Sequence, residues 1–480
     1  MGKVIIYQML PRLWGNIGGK NIKNGTLKDN GCGKFSSIDT ISLEYLRSLG
    51  VSHVWYTGII RHATAEDSAG CTPSSSDWVK GRAGSPYSIT DYYDVNPYLA
   101  DEPENRMEEF HKLVERTHAA GLKVIIDFVP NHVARDYGRF AAAHPAPTGM
   151  AALGESDDKS VHWKDSNDFF YYPGIPLALP IQNQTYMEMP AMASGNSYTS
   201  SPGVNDWYDT IKLNYCDTHT ETWEKMYDIV NFWAGQGVDG FRCDMVELVP
   251  PAFFKWLISR IKKDRPDLLF VAEVYQKTLY SKYIREIDFD LLYDKSGIYD
   301  TLRAIVEKNA KDSGVPVEDW QSAKRITWNW QSLGDLQPYM LNFLENHDEQ
   351  RFASDFFGCD ARNSYAALYT ALYLNNAPFM LYAGEEVGER GMDNEGFSGR
   401  DGRTSIFDWW APSSLTRLYK YIHGEKEALA PEEETMLDTY RKALKFAAED
   451  NAVSKGTFYD LCYCNYASDG FNPDRHFAFL

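Results

Sequence analysis

Charged side chains interrupt several apolar, strand-like runs of this sequence, and they do so near the end of each run. In the run DGFRCDMVE, residues 239–247, Arg242 and Asp244 are two positions apart. On a strand they would share one face, opposite three bulky apolar side chains. A nearby guanidinium favours the charged form of a carboxyl group. The pattern therefore indicates a strand face that is used for chemistry rather than only for packing.

Other strand-like runs end in the same way. The polar residues near their ends are Asp127, Asn131 and His132 at the third run, Glu273 at the fifth, and Glu345, Asn346, His347 and Asp348 at the seventh. A single acid is often an ion-pair partner, but ion pairs alone explain so many of them poorly. Two carboxyl groups that flank a bond can cleave an acetal: one protonates the leaving oxygen while the other attacks the sugar carbon or activates water. Carboxylates also bind Mg²⁺ or Mn²⁺, and that alternative stays open although Arg242 argues against it.

The elements that must position these residues alternate along the chain, strand-like run with amphipathic helix. The predicted strands are 4–10, 53–58, 123–130, 239–246, 268–275, 289–294, 340–348 and 378–386. This alternation predicts an α/β fold, a (β/α)8 TIM barrel whose strand ends converge on one mouth. A doubly wound open sheet is the alternative, but no glycine-rich phosphate turn follows the first run.

Two connections, about 59–98 and about 133–212, are too long to be simple turns. We predict a catalytic barrel formed by 1–132 and 213–452, with an inserted subdomain after the third strand at 133–212. Residues 453–480 are predicted to begin a C-terminal β domain, because the segment from 455 alternates like two antiparallel strands. The chain is expected to end within that domain.

Composition narrows the class of ligand. The 480 residues carry a net charge of −19 and contain no run of lysine or arginine, which argues against nucleic acid and an anionic membrane as partners. No apolar run approaches the ~20 residues that span a bilayer. A neutral ligand fits better. The 13 Trp and 31 Tyr residues could stack on sugar rings, although core packing explains them equally well.

The cysteines and the first residues of the chain indicate in which cellular compartment the protein is expected. The seven cysteines are scattered and form no CxxC pair, so they predict neither a disulfide framework nor a zinc site, and a reducing compartment is expected. The start, MGKVIIYQML, enters a strand without room for a signal peptide. We therefore expect a cytoplasmic protein if this start is native, and a periplasmic or secreted one if a signal was removed.

Four segments in order resemble the four conserved regions of the α-amylase family of glycoside hydrolases. They are DFVPNH (127–132), GFRCDMVE (240–247), VAEVY (271–275) and FLENHD (343–348). Weaker similarity extends from residue 4 to about 410. The resemblance implies a retaining mechanism on α-glucosidic bonds, with no cofactor required for the chemistry.

The resemblance also implies roles, residue by residue. It implies that Asp244 is the nucleophile, Glu273 the general acid/base and Asp348 a third acid that binds sugar hydroxyls. Its implied substrate-binding residues are Arg242 beside the nucleophile, His132 and His347 on the sugar in subsite −1, and Tyr87 stacked under the same ring. Asp127 is implied to support the site, Asn131 matches a calcium ligand, and Glu345 has no implied role.

The sequence departs from the family pattern after the nucleophile. Many members have Lys-His three and four residues after it, the histidine toward calcium, whereas this chain has Glu247 and Leu248. That change argues against the usual calcium site and leaves open an ion elsewhere in the acidic loops. The segments TIKLNY (210–215) and GRDGRTSIFDWW (399–410) are similar to versions found in members that act on oligosaccharides.

These observations predict a retaining hydrolase that cleaves α-1,4-glucosidic bonds of starch or maltooligosaccharides. An α-glucosidase, a neopullulanase or cyclodextrinase, and a glucanotransferase share the same residues and remain alternatives. From other classes, a catalytically inactive binding subunit would lack the three acids, and a metal-dependent barrel hydrolase would lose all activity on chelation.

Overall fold

The computed structural model describes residues 2–67, 71–140, 143–216, 218–307 and 322–480. Within these residues, eight parallel strands close into a barrel, which confirms the predicted TIM-barrel fold and excludes the open sheet. The strands are β1 (Ile5–Met9), β2 (His53–Tyr56), β3 (Lys123–Phe128), β4 (Gly240–Cys243), β5 (Leu269–Ala272), β6 (Leu291–Tyr293), β7 (Met340–Phe343) and β8 (Phe379–Tyr382). Each pairs with its neighbours in sequence, and β1 closes the barrel by pairing with both β2 and β8.

Helices follow the strands and cover the outside of the barrel. Within the described residues, the α-helices of six or more residues are Thr40–Ser48, Arg106–Ala119, Glu221–Gly235, Pro251–Asp264, Tyr280–Arg285, Asp300–Val306, Lys324–Leu333, Ser364–Tyr373, Ser413–Ile422 and Pro431–Glu449. The helix Arg106–Ala119 shows why they dock. Its buried residues Phe110, Leu113, Val114 and Thr117 recur every three or four positions and form one stripe toward the strands.

The two long connections contain their own short strands. In the first, Ile60–His62 pairs with Ile89–Val95. In the second, His132–Ala134 pairs with Thr210–Lys212 and Tyr171–Tyr172 with Ala191–Met192. Trp78 from the first connection joins a small apolar cluster with Leu177 and Tyr208 of the second, so the two connections pack on each other. The proposed division into barrel and inserted subdomain stays a prediction.

The barrel strands are shorter than predicted, and β4 shows the reason. It was predicted to span 239–246 but ends at Cys243, because Met245 has φ 44° and turns the chain out of the strand. At its start, a Cβ on Gly240 would lie 2.9 Å from the carbonyl oxygen of Leu269. Glycine therefore allows β4 and β5 to approach each other closely.

The two antiparallel strands predicted after residue 455 are reduced to a short antiparallel contact, in which Tyr459 and Leu480 exchange backbone hydrogen bonds. The C-terminal β domain stays a prediction. The contact contains a single bridge, Asp460 with Phe479, and residues Cys462–Asn465 form a helical turn. The carboxylate of Asp460 accepts the amide of Cys462 at 2.7 Å, which turns the chain immediately after the bridge. A side chain that satisfies a backbone donor two residues later competes with a strand ladder.

None of the helices in the described part of the chain has both the length and the apolar character needed to cross a bilayer.

Candidate active site

A cavity of about 340 Å³ opens at the mouth of the barrel, beyond the carboxyl ends of the strands. Five residues predicted from the sequence line it: Tyr87, His132, Asp244, Glu273 and Asp348. The other three predicted residues each contact one of these five, since Arg242 binds Asp244, His347 binds Tyr87, and Asn131 binds His132. The barrel thus brings together residues that are up to 261 positions apart in sequence, as the convergence of strand ends predicts.

Arg242 connects the two carboxyl groups that matter most. It lies on β4, its side chain is 1% exposed, and its Nη1 is 2.5 Å from Oδ1 of Asp244. Its Nη2 is 2.8 Å from Oε1 of Glu273 on the neighbouring strand β5. Both carboxyl groups are thereby held within the span of one guanidinium. Retaining glycosidases need this close pairing, whereas inverting enzymes leave a wider gap for water.

The backbone after β4 fixes the relative position of the same two residues. The amide of Asp244 still donates to the carbonyl of Phe128 on β3 at 2.9 Å, so this residue follows the strand ladder. Met245 then adopts a left-handed conformation, and its amide donates to Oε2 of Glu273 at 2.8 Å. A methionine with positive φ is uncommon, and such conformations concentrate at functional sites.

Burial and the guanidinium of Arg242 shift the pKa values of Asp244 and Glu273 in opposite directions. Burial raises the pKa of Asp244, and the guanidinium of Arg242 opposes that shift. Burial also raises the pKa of Glu273; Arg242 lowers it, and the negative charge of Asp244 raises it further. The ion pair predicted between Arg242 and Asp244 is present, but Arg242 serves both acids. A raised pKa favours the protonated form that a general acid needs.

His347 and Tyr87 support the floor of the cavity. The hydroxyl of Tyr87 is 2.6 Å from Nε2 of His347 and donates to Oδ1 of Asp127 at 3.2 Å. The rings of Tyr87 and His347 stack at 5.3 Å. Tyr87 is 9% exposed, so its ring is largely covered by protein, while its remaining surface faces the cavity where the family resemblance places the sugar. Burial lowers the pKa of His347, which keeps the imidazole neutral.

Asp348 differs from the other two acids because its side chain is 42% exposed to the cavity. Its Oδ2 lies 3.2 Å from Nε2 of His347. Desolvation and the neighbouring Glu273 raise its pKa. An exposed carboxyl group on the cavity wall is free to bind hydroxyl groups of a ligand.

Two further acids predicted at strand ends have supporting positions. Asp127 accepts the indole N–H of Trp55 at 3.1 Å and the hydroxyl of Tyr87, and burial raises its pKa to about 7. Glu345 pairs with Arg351 at 2.9 Å and accepts the amide of Phe352. Glu345 is therefore an ion-pair partner, as its lack of an implied role suggested.

Asn131, which the resemblance matches to a calcium ligand, is engaged by the protein itself. Its Nδ2 donates to Nδ1 of His132 and to the carbonyl of Gly195, each at 3.0 Å. Its Oδ1 accepts a hydrogen bond from the ammonium of Lys212, which also donates to the carbonyl of Leu248 at 2.9 Å. An ammonium at the carboxamide oxygen is incompatible with a calcium ion bound to the same atom, so these residues do not fit calcium.

Sequence reasoning missed several residues of the cavity wall. They are Lys80, Ser85, Trp207, Asp209, Thr210, Met245, Tyr275, Ile406 and Phe407. Tyr275 was accessible to reasoning, because it follows Glu273 by two positions and so continues the same face. Lys80 and Asp209, 3.2 Å apart, come from the two long connections, where no periodicity marks a side chain as facing the cavity.

Comparison with known proteins agrees with this geometry. The family profile described as "Alpha amylase, catalytic domain" matches residues 21–457. A cyclomaltodextrin glucanotransferase of Geobacillus stearothermophilus is 23% identical over 400 residues, which cover 80% of this chain and 49% of that protein. Neopullulanase 2 of Thermoactinomyces vulgaris is 24% identical over 352 residues, which cover 73% of this chain and 48% of that protein. The chain thus spans about half the length of these relatives.

Solved structures share the fold. A debranching enzyme of Nostoc punctiforme superposes with a TM-score of 0.63 at 20% identity, covering 96% of this chain and 82% of that one. A maltogenic alpha-amylase of Thermotoga neapolitana has a TM-score of 0.59 at 20% identity, and the match covers 99% of this chain and 82% of that one. At this level of identity the likeness establishes the architecture alone.

Proposed function

The chain belongs to the alpha-amylase family of glycoside hydrolases, and we propose that it hydrolyses α-1,4-glucosidic bonds of starch or maltooligosaccharides by double displacement. One observation carries the proposal: Asp244 and Glu273 are held by a single buried guanidinium at the edge of a cavity. One acid attacks and the other protonates in a retaining glycosidase, and both must reach the same bond.

The two steps assign one role to each carboxyl group. Asp244 attacks the anomeric carbon while Glu273 gives its proton to the glycosidic oxygen, so the leaving sugar departs with a free hydroxyl. Glu273, now ionised, then takes a proton from a water molecule that attacks the same carbon. The bond to Asp244 breaks, and the product keeps the α configuration because two inversions have occurred.

The charge state of each group supports these roles. The guanidinium of Arg242 stabilises the anion of Asp244, while burial favours the protonated form of Glu273 before the first step. Burial lowers the pKa of His132 to about 3 and also lowers that of His347, so both imidazoles are neutral. His132 lines the cavity and is available to sugar hydroxyls, whereas the fully buried His347 contacts Tyr87 and Asp348 and supports the wall from behind.

The cavity wall suits a sugar ring. Trp207, Tyr275 and Phe407 line it, and aromatic faces pack against the C–H faces of sugars. Lys80 and Asp209 add a charged pair at the same wall. This mixture of aromatic surface and a few polar groups supports a neutral carbohydrate as the ligand.

The alternatives within the family use the same residues. An α-glucosidase, a neopullulanase or cyclodextrinase, and a glucanotransferase differ in the number of sugar subsites and in whether water or another sugar accepts the glucosyl group. The presence of all three acids on one cavity wall argues against a catalytically inactive binding subunit.

The test is product analysis with maltoheptaose, comparing the unmodified protein with Asp244→Asn and Glu273→Gln. We expect mid-sized products that are initially α-anomeric, with both substitutions reducing turnover by about 10³-fold or more. Glucose released one unit at a time would indicate an α-glucosidase, and products longer than the substrate a transferase. Turnover that survives Asp244→Asn would contradict the proposed nucleophile.

A further inference from the structure

A buried lysine, Lys212, lies where the second long connection meets the barrel. We propose that the ammonium of Lys212 takes the place of a structural calcium ion at this junction, which therefore needs no metal. The proposal follows from the contacts of Lys212, its charge environment and the sequence changes around it.

The ammonium of Lys212 holds three separate segments together. Lys212 ends the strand Thr210–Lys212, which pairs with His132–Ala134 directly after β3. Its Nζ donates to Oδ1 of Asn131, three residues after β3, and to the carbonyl oxygen of Leu248 after β4, the latter at 2.9 Å. It also lies 5.4 Å from the ring centroid of Tyr198 in the second long connection.

Burial already disfavours a single charge here, since it lowers the pKa of Lys212 to about 7, and it would disfavour a divalent ion more strongly. Lys212 is 2% exposed, and its ligands are an amide oxygen, a carbonyl oxygen and the face of an aromatic ring. Among the described residues, no carboxylate contacts this ammonium. Calcium takes six to eight oxygen ligands that usually include carboxylates. A divalent ion at the oxygen of Asn131 would have to displace the ammonium and would find too little negative charge.

One departure from the family pattern and one retained residue lie at this junction. The position where family members have a histidine toward calcium is Leu248 here, and its backbone carbonyl accepts from Lys212. Asn131 keeps the identity of a calcium ligand, and its oxygen likewise accepts from Lys212. At both positions the oxygen accepts from the side chain of Lys212.

The experiment combines calcium titration with a matched pair of lysine variants. Lys212→Met removes the charge and keeps a side chain of similar length. Lys3→Met is the control, because Lys3 is also buried and donates to two carbonyl oxygens, those of Leu372 and Asn375, away from this junction. Thermal unfolding is followed in EGTA and in CaCl₂, and hydrogen exchange is measured at Thr210–Lys212.

We expect the Tm of the unmodified protein to change by less than about 1 °C between EGTA and CaCl₂. Lys212→Met should lower the Tm by about 3 °C or more, because it leaves two buried oxygens without a donor. It should also raise hydrogen exchange at Thr210–Lys212 at least tenfold. Lys3→Met should lower the Tm without that increase.

Two results would overturn the proposal. One is a calcium-dependent rise in the Tm of the unmodified protein that Asn131→Ala abolishes, since this would place the ion at the junction. The other is unchanged hydrogen exchange at Thr210–Lys212 in Lys212→Met. If Lys212→Met does not fold, Lys212→Arg keeps a cation and should restore folding, whereas failure of Lys212→Arg in EGTA with rescue by CaCl₂ would contradict the inference.

Discussion

The hydroxyl of Tyr275 lies 2.6 Å from Oε1 of Glu273, the carboxyl oxygen that Arg242 also contacts. One oxygen of the proposed general acid therefore accepts a hydrogen bond from Tyr275 and lies beside the guanidinium, while the other accepts from the amide of Met245. These two hydrogen bonds and one ion-pair contact fix the orientation of the carboxyl group. They also favour its anion, in opposition to the burial that favours its protonated form.

Tyr275→Phe should move the pH profile of the reaction. The hydrogen bond from Tyr275 lowers the pKa of Glu273, so its loss raises that pKa. A general acid works in its protonated form, and activity falls as pH rises through its pKa. The alkaline limb of the kcat/KM profile should therefore shift to higher pH. Tyr373→Phe, which loses a bond to the carbonyl of Ala443 away from the cavity, is the control and should leave the profile unchanged.

Glu247 should act on the reaction through Tyr275. Its carboxylate accepts the amides of Tyr275 and Gln276, each at 3.0 Å, and so fixes the segment that carries the tyrosine. We expect Glu247→Ala to reduce kcat by about tenfold, because small displacements of catalytic groups are costly. Glu247→Gln retains one carbonyl acceptor and should recover much of the loss. A change in KM alone would instead indicate a lost substrate contact.

Much of the site was readable from the sequence because spacing along a strand decides which side chains share a face. Arg242 and Asp244 are two positions apart, and the predicted ion pair is present. The contact from Arg242 to Glu273 was not predictable in the same way, because it depends on the pairing of β4 with β5. Spacing describes one strand, whereas this contact requires the register between two.

The long connections were less predictable for a related reason. Lys212 reaches Asn131 only because their segments pair as antiparallel strands, although 81 positions separate them in sequence. No periodic pattern in the intervening residues indicates that pairing. The tail from 455 shows the opposite case, since alternation suggested strands where Asp460 turns the chain by accepting a backbone amide. An alternating sequence does not form a strand where a side chain binds the backbone amide or where no partner strand is available.

Removal of Arg242 should affect both stability and catalysis. Its guanidinium pairs with the anion of Asp244 and contacts Glu273, and breaking a buried ion pair costs about 3–5 kcal/mol. We expect Arg242→Gln to lower the free energy of unfolding by about 3 kcal/mol and kcat/KM by about 10²- to 10³-fold.

Arg260→Gln is the matched surface control for Arg242→Gln. Arg260 pairs with Glu224 at 2.6 Å, but its side chain is 41% exposed. Its loss should cost less than about 1 kcal/mol and leave turnover unchanged. Urea unfolding and initial rates on maltoheptaose measure both quantities. Activity of Arg242→Gln within tenfold of the unmodified protein would contradict the role assigned to the guanidinium.

His62 should make stability depend on pH below neutrality. Its Nδ1 donates to the carbonyl of Ile60 at 3.1 Å and its Nε2 accepts from Nδ2 of Asn96 at 3.2 Å, so a second proton would face a donor. Burial and Arg12 lower its pKa to about 3, below the unfolded value of about 6.5. The unfolded chain therefore binds the extra proton first, and stability falls as pH drops below about 6.5.

Between pH 7 and pH 5 the unmodified protein should lose about 2 kcal/mol more unfolding free energy than His62→Gln. Equal losses in urea titrations at the two pH values would show that His62 is protonated in the folded protein.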